Sequence, residues 1–314
     1  MDLRQLRYFA VLADQRHFGR ASRMLHLSQP ALSRQIRLLE EEIGVRLFER
    51  HARGATPTEE ALFLRERTSF LLRYAEQLKY DMLARRKQPQ GPVVLGLSAG
   101  LAQLLAAPLM RAIRGRYPRV RLRIHEDFGL PLQTMLVQGS IDLAILDRQI
   151  PGAEIIFHPL LKESICLIGR PCDLKFSARR IRIRQLAKLP LIMTGIPDSG
   201  VRLEVDIAAA QAGVALNTVV EAESMQVAKR LVADGIGVTI NFAAAVQAEV
   251  AAGRLLAAKI ENLHSWRLLA RSSVRPISRA TEVMIDILCE VAQQLVRSGE
   301  WPNAVLEMRE GDLR

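Results

Sequence analysis

Apolar residues in the first 58 positions recur at helical spacing in three short blocks. Leu3, Leu6, Phe9, Ala10 and Ala13 form the first block, which breaks at 15–17. Phe18, Ala21, Met24 and Leu25 form the second. Ala31, Leu32, Ile36 and Leu39 form the third, after Leu27-Ser28. Ser28 suits an N-cap, Pro30 suits a first turn, where its missing N–H costs nothing, and Gly44 suits a helix end. A basic loop over 51–55 precedes Thr56-Pro57-Thr58. From 59 a longer pattern starts. Ala61, Leu64, Thr68, Leu71, Ala75, Leu78 and Met82 alternate three and four apart, a narrow heptad seam flanked by charge. That seam predicts a helix that pairs with its copy in a second chain. It ends in a linker over 85–92, basic and then broken by two prolines and a glycine.

Beyond residue 93 the period changes. Short apolar runs at 93–97, 120–124, 141–146, 165–168, 191–193, 216–220 and 236–240 read as strands. Helical stretches at 101–113, 130–137, 201–212, 225–233 and 242–252 lie between most of them. Strand–helix alternation predicts α/β units with parallel sheet. A last helix is expected at 277–296, followed by a charged, loose tail.

Charge sharpens the picture. The chain has 314 residues, 44 Lys and Arg against 33 Asp and Glu, and a formal charge of +11. The first 90 residues hold 17 basic and 11 acidic side chains, so the excess is densest there. A basic N-terminal domain attracts a polyanion, and nucleic acid is the expected one. Apolar residues at 49% and charged ones at 25% describe a folded chain rather than a disordered one. No apolar run reaches the ~20 residues of a membrane span, and no signal peptide is expected. Cys166, Cys172 and Cys289 are too few for a disulfide scaffold and suit the cytoplasm. They read as buried structural thiols. Six scattered histidines offer no metal-ligand spacing, so neither metal nor cofactor is expected.

The unit from Phe18 to Leu39 carries the strongest chemistry. Ala21, Leu25, Leu32 and Ile36 point inward, which leaves Gln29, Pro30, Ser33, Arg34 and Arg37 on the outer face of the second helix. Arg chelates guanine O6/N7 and Gln pairs with adenine N6/N7, so this is the side-chain set of a groove-reading helix in a helix-turn-helix. Any small bundle has a polar outer face, however, and periodicity alone leaves that bland reading open.

Longer motifs decide between them. Leu6-Arg7-Tyr8-Phe9, Phe18-Gly19-Arg20-Ala21-Ser22, Leu27-Ser28-Gln29-Pro30-Ala31-Leu32-Ser33-Arg34-Gln35-Ile36 and Leu39-Glu40-Glu41-Glu42-Ile43-Gly44-Val45-Arg46-Leu47-Phe48-Glu49-Arg50 resemble the N-terminal domain of LysR-type transcriptional regulators. Arg53-Gly54 and Thr56-Pro57-Thr58-Glu59 continue the match. His125-Glu126, Leu136, Gly139 and Ile141-Asp142-Leu143-Ala144-Ile145 are similar to the branch related to nitrogen assimilation control.

The resemblance implies an α plus α/β chain. A winged helix-turn-helix takes 1–58 and a dimerising linker helix 59–90. A two-lobed α/β effector domain like periplasmic binding proteins takes 91–300, and a tail 301–314. Lobe 1 would be about 91–161 with 268–300, and lobe 2 about 162–267, with crossovers near 161–163 and 266–268. Where the family has Glu-Ala-Gly after the wing, this chain has Glu59-Glu60-Ala61, so the linker helix is expected to start with slightly different packing.

Carried over residue by residue, Gln29, Pro30, Ser33 and Arg34 would meet base edges. Arg53 in the wing would reach the minor groove, and Arg20, Arg23 and Arg37 would meet phosphates. Effector contacts would come from Ser98, Ala99, Gly100, Phe128, Gly129, Asp147, Arg148, Thr194, Arg202 and Asn241. Ser98-Ala99 and Phe128-Gly129 replace the consecutive Ser/Thr of many relatives, which implies a less polar pocket, with Arg202 left to pair a ligand's charge. Implied partners are double-stranded DNA, a small effector, further copies of the chain as dimer or tetramer, and RNA polymerase. No membrane is implied.

Two rival functions have their own signals. Gly96-Leu97-Ser98-Ala99-Gly100 matches the G-x-S-x-G of a serine hydrolase, though it lies on the first strand of its domain with no oxyanion-hole sequence nearby. A solute-binding module without DNA activity is the other. Gly235-Ile236-Gly237 lacks the third glycine of a dinucleotide fingerprint, and the 179–184 arginine run reads as a solvated face.

Overall fold

Ser28, Pro30 and Gly44 bracket a helix as their chemistry dictates. In the computed structural model, which describes residues 1–51, 54–84, 88–148, 154–173, 180–195, 197 and 200–306, that helix spans Gln29–Ile43. The Ser28 hydroxyl accepts from the Ala31 N–H at 3.3 Å, and Gly44 takes the left-handed conformation at φ 81°. The chain divides into two compact units, Met1–Lys87 and nearly all of the rest from Gln88 onward.

In the first unit α1 (Leu3–Gln15), α2 (Phe18–Met24) and α3 (Gln29–Ile43) are followed by a hairpin of β1 (Phe48–His51) and β2 (Gly54–Pro57), then by α4 (Glu59–Ala84). Asp2 and Gln5 form a reciprocal cap on α1. The His17 ring caps α2 through Nδ1, which accepts from the Gly19 N–H at 3.1 Å. Phe9, Leu12, Ala21, Leu32, Ile36 and Leu39 are buried together, and Phe9 and Phe18 pack on Phe48 with centroids 5.7 and 6.3 Å apart. Met24, part of the second apolar block, is exposed. Glu40 fixes the hairpin to α3 by accepting from the Leu47 and Phe48 N–H groups at 2.8 and 3.2 Å. Gly54 lies over the Arg16 carbonyl, where a Cβ would come within 2.4 Å, at a φ of 149°.

The long helix α4 starts where expected, with Thr58 accepting from the Ala61 N–H at 3.2 Å. Despite the altered Glu59-Glu60-Ala61 start, Ala61 enters the core of the first unit. Arg65 clamps Asp14 of α1 with both carboxylate oxygens at 2.9 Å. The heptad seam therefore splits. Ala61 and Thr68 are fully buried within the chain, whereas Leu71, Leu78 and Met82 are exposed.

The second unit is built on one sheet. Its elements are β3 (Gly91–Leu97), α5 (Ala99–Arg116), β4 (Val120–Glu126), α6 (Gly129–Gln138), β5 (Leu143–Leu146), β6 (Ile155–Gly169), β7 (Arg180–Ile181), β8 (Leu191–Thr194), α7 (Gly200–Gln211), β9 (Thr218–Ala222), α8 (Met225–Ala233), β10 (Val238–Phe242), α9 (Gln247–Ala251), β11 (Leu256–Ser272), α10 (Arg279–Arg297) and β12 (Ala304–Leu306). Strand order is β4-β3-β5-β11-β6-β10-β8-β9. β3 pairs parallel with β4 and β5, and β8 parallel with β9 and β10. The antiparallel pair β6 and β11 runs through both halves. β5 meets β11 at Leu268–Ala270, while β10 meets β6 at Ile165–Ile168. Each half has its own apolar core, one around α5 and α10, the other around β8, β10 and α7.

Two long antiparallel strands, β6 and β11, pass through 161–163 and 266–268, and their register shifts between Arg267 and Leu268. The apolar run at 165–168 marks only the last part of β6. Two expectations change here. The helix expected over 242–252 is a 3-10 turn, Ala243–Val246, followed by the short α9. The tail is not loose at its start. Trp301 is buried in the first core and β12 pairs with β6.

Candidate functional site

On α3 the buried side is Leu32, Ile36 and Leu39, and the opposite side is open. Gln29, Pro30, Arg34 and Arg37 are exposed and Ser33 is half-buried. Arg37 leans on Glu41 at 3.4 Å. Arg20 and Arg23, exposed on α2, each give one donor to a carbonyl, of Gln15 and Gly19 respectively, and keep the rest outward. Arg53 lies outside the described residues. One cation was missed. Arg50 on β1 donates to the Ser33 hydroxyl at 2.7 Å and covers the Phe18 ring at 4.5 Å. Its sequence signal was only its place in the basic stretch between the helix and the wing.

In the second unit a cavity of about 480 Å³ opens between the two halves of the sheet. Loops at the carboxyl ends of the strands build it, as open α/β sheets require. Ser98, Ala99 and Gly100 open α5, Phe128 and Gly129 open α6, and Asp147 follows β5. Thr194, Arg202 and Asn241 line it from the other half. Arg148 is exposed and does not line it. Asn241 donates to the Thr194 hydroxyl at 3.1 Å and holds the Phe242 N–H at 2.8 Å.

Three acidic side chains that the sequence reading did not single out, Glu126, Asp127 and Glu223, also line the pocket. Arg202, the residue expected to pair a ligand's charge, holds Asp206 and Glu221 at 2.9 and 3.0 Å. Arg267 on the crossing strand β11 and Phe242 at the end of β10 also line it and were missed. Arg267 is ion-paired at 2.8 Å with Glu163, which is fully buried. Burial pushes the Glu163 carboxyl up, and the Arg267 guanidinium pulls it back only in part.

The glycines of the G-x-S-x-G motif have packing reasons. A Cβ at Gly96 would meet Ile141 and Leu132 at 2.6 and 2.7 Å, and one at Gly100 would meet Ala245 at 3.2 Å. Among the described residues that line the cavity there is no histidine to act as a base for Ser98. Cys166 and Cys289 are buried thiols, pushed up to about 11 and about 12 by burial. Cys172, expected to be buried as well, is exposed. Arg180, Arg182 and Arg184 are exposed around the buried Ile181, and Arg179 lies outside the described residues.

Comparison with known proteins places this geometry. The LysR substrate binding domain matches residues 86–293, and the bacterial regulatory helix-turn-helix of the lysR family matches 3–62. The chain belongs to the LysR family of transcriptional regulators. This LysR regulator is 30% identical to the HTH-type transcriptional regulator BbuR of Bordetella bronchiseptica, over 96% of this chain and 93% of that one. It is also 30% identical to the nitrogen assimilation regulatory protein nac of Klebsiella aerogenes, over 92% and 95%. Among solved structures, a full-length OxyR variant from Pseudomonas aeruginosa superposes with a TM-score of 0.74 at 24% identity, covering 98% of this chain and 99% of that one.

The LysR regulator is thus a DNA-binding transcription factor with an effector-binding domain, and not an enzyme. Proteins of the family bind DNA and small effectors and form oligomers. Among the described residues, no helix is long and apolar enough to cross a membrane.

Proposed function

We propose that α3 docks in the major groove of duplex DNA and reads base edges with Gln29, Pro30, Ser33 and Arg34. Arg20, Arg23 and Arg37 hold phosphates, and Arg53 in the wing enters the minor groove. One observation carries this reading. Leu32, Ile36 and Leu39 bury one side of α3 completely and leave a cationic, polar side facing out.

The functional divisions follow as 1–58 for DNA binding, 59–90 for the linker, 91–300 for the effector domain and 301–314 for the tail. The exposed part of the seam, Leu71, Leu78 and Met82, pairs with a second copy, and two such dimers make a homotetramer on a quasi-palindromic site. The regulator works in the cytoplasm, where it contacts RNA polymerase from the bound site. A small effector enters the cavity and meets Ser98, Ala99, Gly100, Phe128, Gly129, Asp147, Thr194, Arg202 and Asn241. It shifts the angle between the lobes because it binds one arrangement better than the other.

Gel shifts with the upstream region of the gene at two salt concentrations test the DNA reading. Affinity should fall steeply with salt, and Arg34→Ala should erase the preference for the specific site at a cost of about 1–3 kcal/mol. Unchanged site preference in that variant overturns the assignment of α3 as the reading helix.

A further inference from the structure

The crossing strands β6 and β11 place a charge pair against the cavity. Glu163 is fully buried, and Arg267 is only 5% exposed. The bond between them uses Arg267 Nε alone. Among the described residues the two Nη nitrogens have no hydrogen-bond partner, yet the guanidinium lines the cavity and lies 3.7 Å from the centroid of Phe242, another lining residue. A guanidinium carries five donors in a fixed fork. Unspent donors on a nearly buried cation are costly unless an acceptor meets them, and here they border an opening of ligand size.

The remaining charge of the cavity restricts what that acceptor belongs to. Arg202 is the other arginine among the lining residues, and two carboxylates already neutralise it. Glu126, Asp127, Asp147 and Glu223 are acidic. Asp147 is the half-buried one whose side chain makes no hydrogen bond among the described residues, and it lies so close to Gly129 and Gly200 that a Cβ there would stand 3.3 and 2.8 Å from its oxygens. Ser265, two residues before Arg267 on the same face of β11, donates to the Asp147 carbonyl at 3.1 Å, which puts Asp147 beside the crossing strands. One oxyanion is therefore welcome at Arg267. A second meets the repulsion of Asp147 and the acidic rim, whereas an ammonium is attracted by them.

We propose that the cavity takes a small zwitterion of the amino-acid kind, its carboxylate on the Nη donors of Arg267 and its ammonium toward Asp147. Glu163 is a positioning residue, which holds the guanidinium plane on Phe242 so that the donors face the opening. This inference rests on the reading of the cavity as the effector site.

Thermal shift and isothermal titration calorimetry on the full chain test both, and can separate them. The probes are the proteinogenic L-amino acids, each with its N-acetyl derivative and its decarboxylated amine, together with succinate and glutarate. At least one amino acid should bind, with its N-acetyl and amine forms weaker by about tenfold or more, the usual loss for one charge-assisted hydrogen bond. The double variant Glu163→Gln with Arg267→Gln removes both charges and leaves no lone buried ion. It should weaken the amino acid by a similar factor and leave the amine unaffected. Asp147→Asn should erase the preference over the N-acetyl form. Tighter binding of succinate or glutarate than of every amino acid, lost in Thr194→Val, overturns the zwitterion and keeps the effector site. Absence of binding by every probe, or binding indifferent to both the Arg267 pair and Thr194→Val, overturns the site reading and the inference with it.

Discussion

Arg50 on the wing strand donates to Ser33 on the groove-facing helix across 2.7 Å, while its guanidinium covers Phe18. The bond joins the hairpin to the outer face of α3, so the orientation of a residue expected at base edges depends on a cation seventeen positions away. Arg50→Ala should lower specific DNA affinity severalfold with a stability loss of about 1 kcal/mol or less, since the pair is exposed. Gel shift and thermal melting read the two quantities apart. A large fall in melting temperature with unchanged affinity would sink this assignment.

The split seam on α4 separates self-association from folding. Leu78→Glu replaces an exposed side chain and should change the free energy of unfolding by no more than about 0.5 kcal/mol while dissociating the oligomer. Thr68→Glu buries a charge on α4 and should destabilise the fold instead. Sedimentation velocity with circular dichroism distinguishes the outcomes. An oligomer unaffected by Leu78→Glu would place the interface elsewhere.

Gly54→Ala tests how the wing closes. The new methyl would stand 2.4 Å from the Arg16 carbonyl oxygen, on a backbone at φ 149°. Backbone atoms cannot step aside cheaply, so the expected cost is about 1–3 kcal/mol, with loss of the bond from the Ala55 N–H to Arg16. Hydrogen exchange at Ala55 should accelerate. A variant as stable and as protected as the parent would show that the turn relaxes freely.

Arg267→Met leaves Glu163 buried without its cation and should cost about 3–5 kcal/mol. Burial already raises the Glu163 carboxyl, and removal of Arg267 raises it further. A group whose folded pKa is raised contributes stability at low pH and loses it as pH rises through that value. The Arg267→Met protein should therefore be more stable, relative to the parent, at about pH 5 than at about pH 8. Denaturant melts at both values measure this, and a pH-independent deficit would mean that Glu163 is not the group left unpaired.

Much of the first unit was legible because its cues are local. Ser28, Pro30 and Gly44 mark the ends of α3, and Leu32, Ile36 and Leu39 mark its buried side by spacing alone. Nine of the ten residues that the family resemblance implied around the cavity line it, at the strand ends and helix starts of the two lobes. Arg148 failed because the loop after β5 turns it outward, a matter of loop conformation rather than pattern. Met24 is exposed because a short helix buries only part of an apolar stripe.

Local periodicity and capping chemistry were enough for the short N-terminal helices, the long helix and the alternating α/β order, since each depends on neighbours within a few residues, whereas the helix-turn-helix assignment needed the longer motifs that resemble the LysR family. Partnership across long distances was decided only in three dimensions. Arg202 is ion-paired with Glu221, Thr68 is buried within the chain, and Glu163 meets Arg267 across 104 positions. Whether a charge is free or already paired depends on which strands lie side by side, and the spacing of residues along one chain does not contain that information.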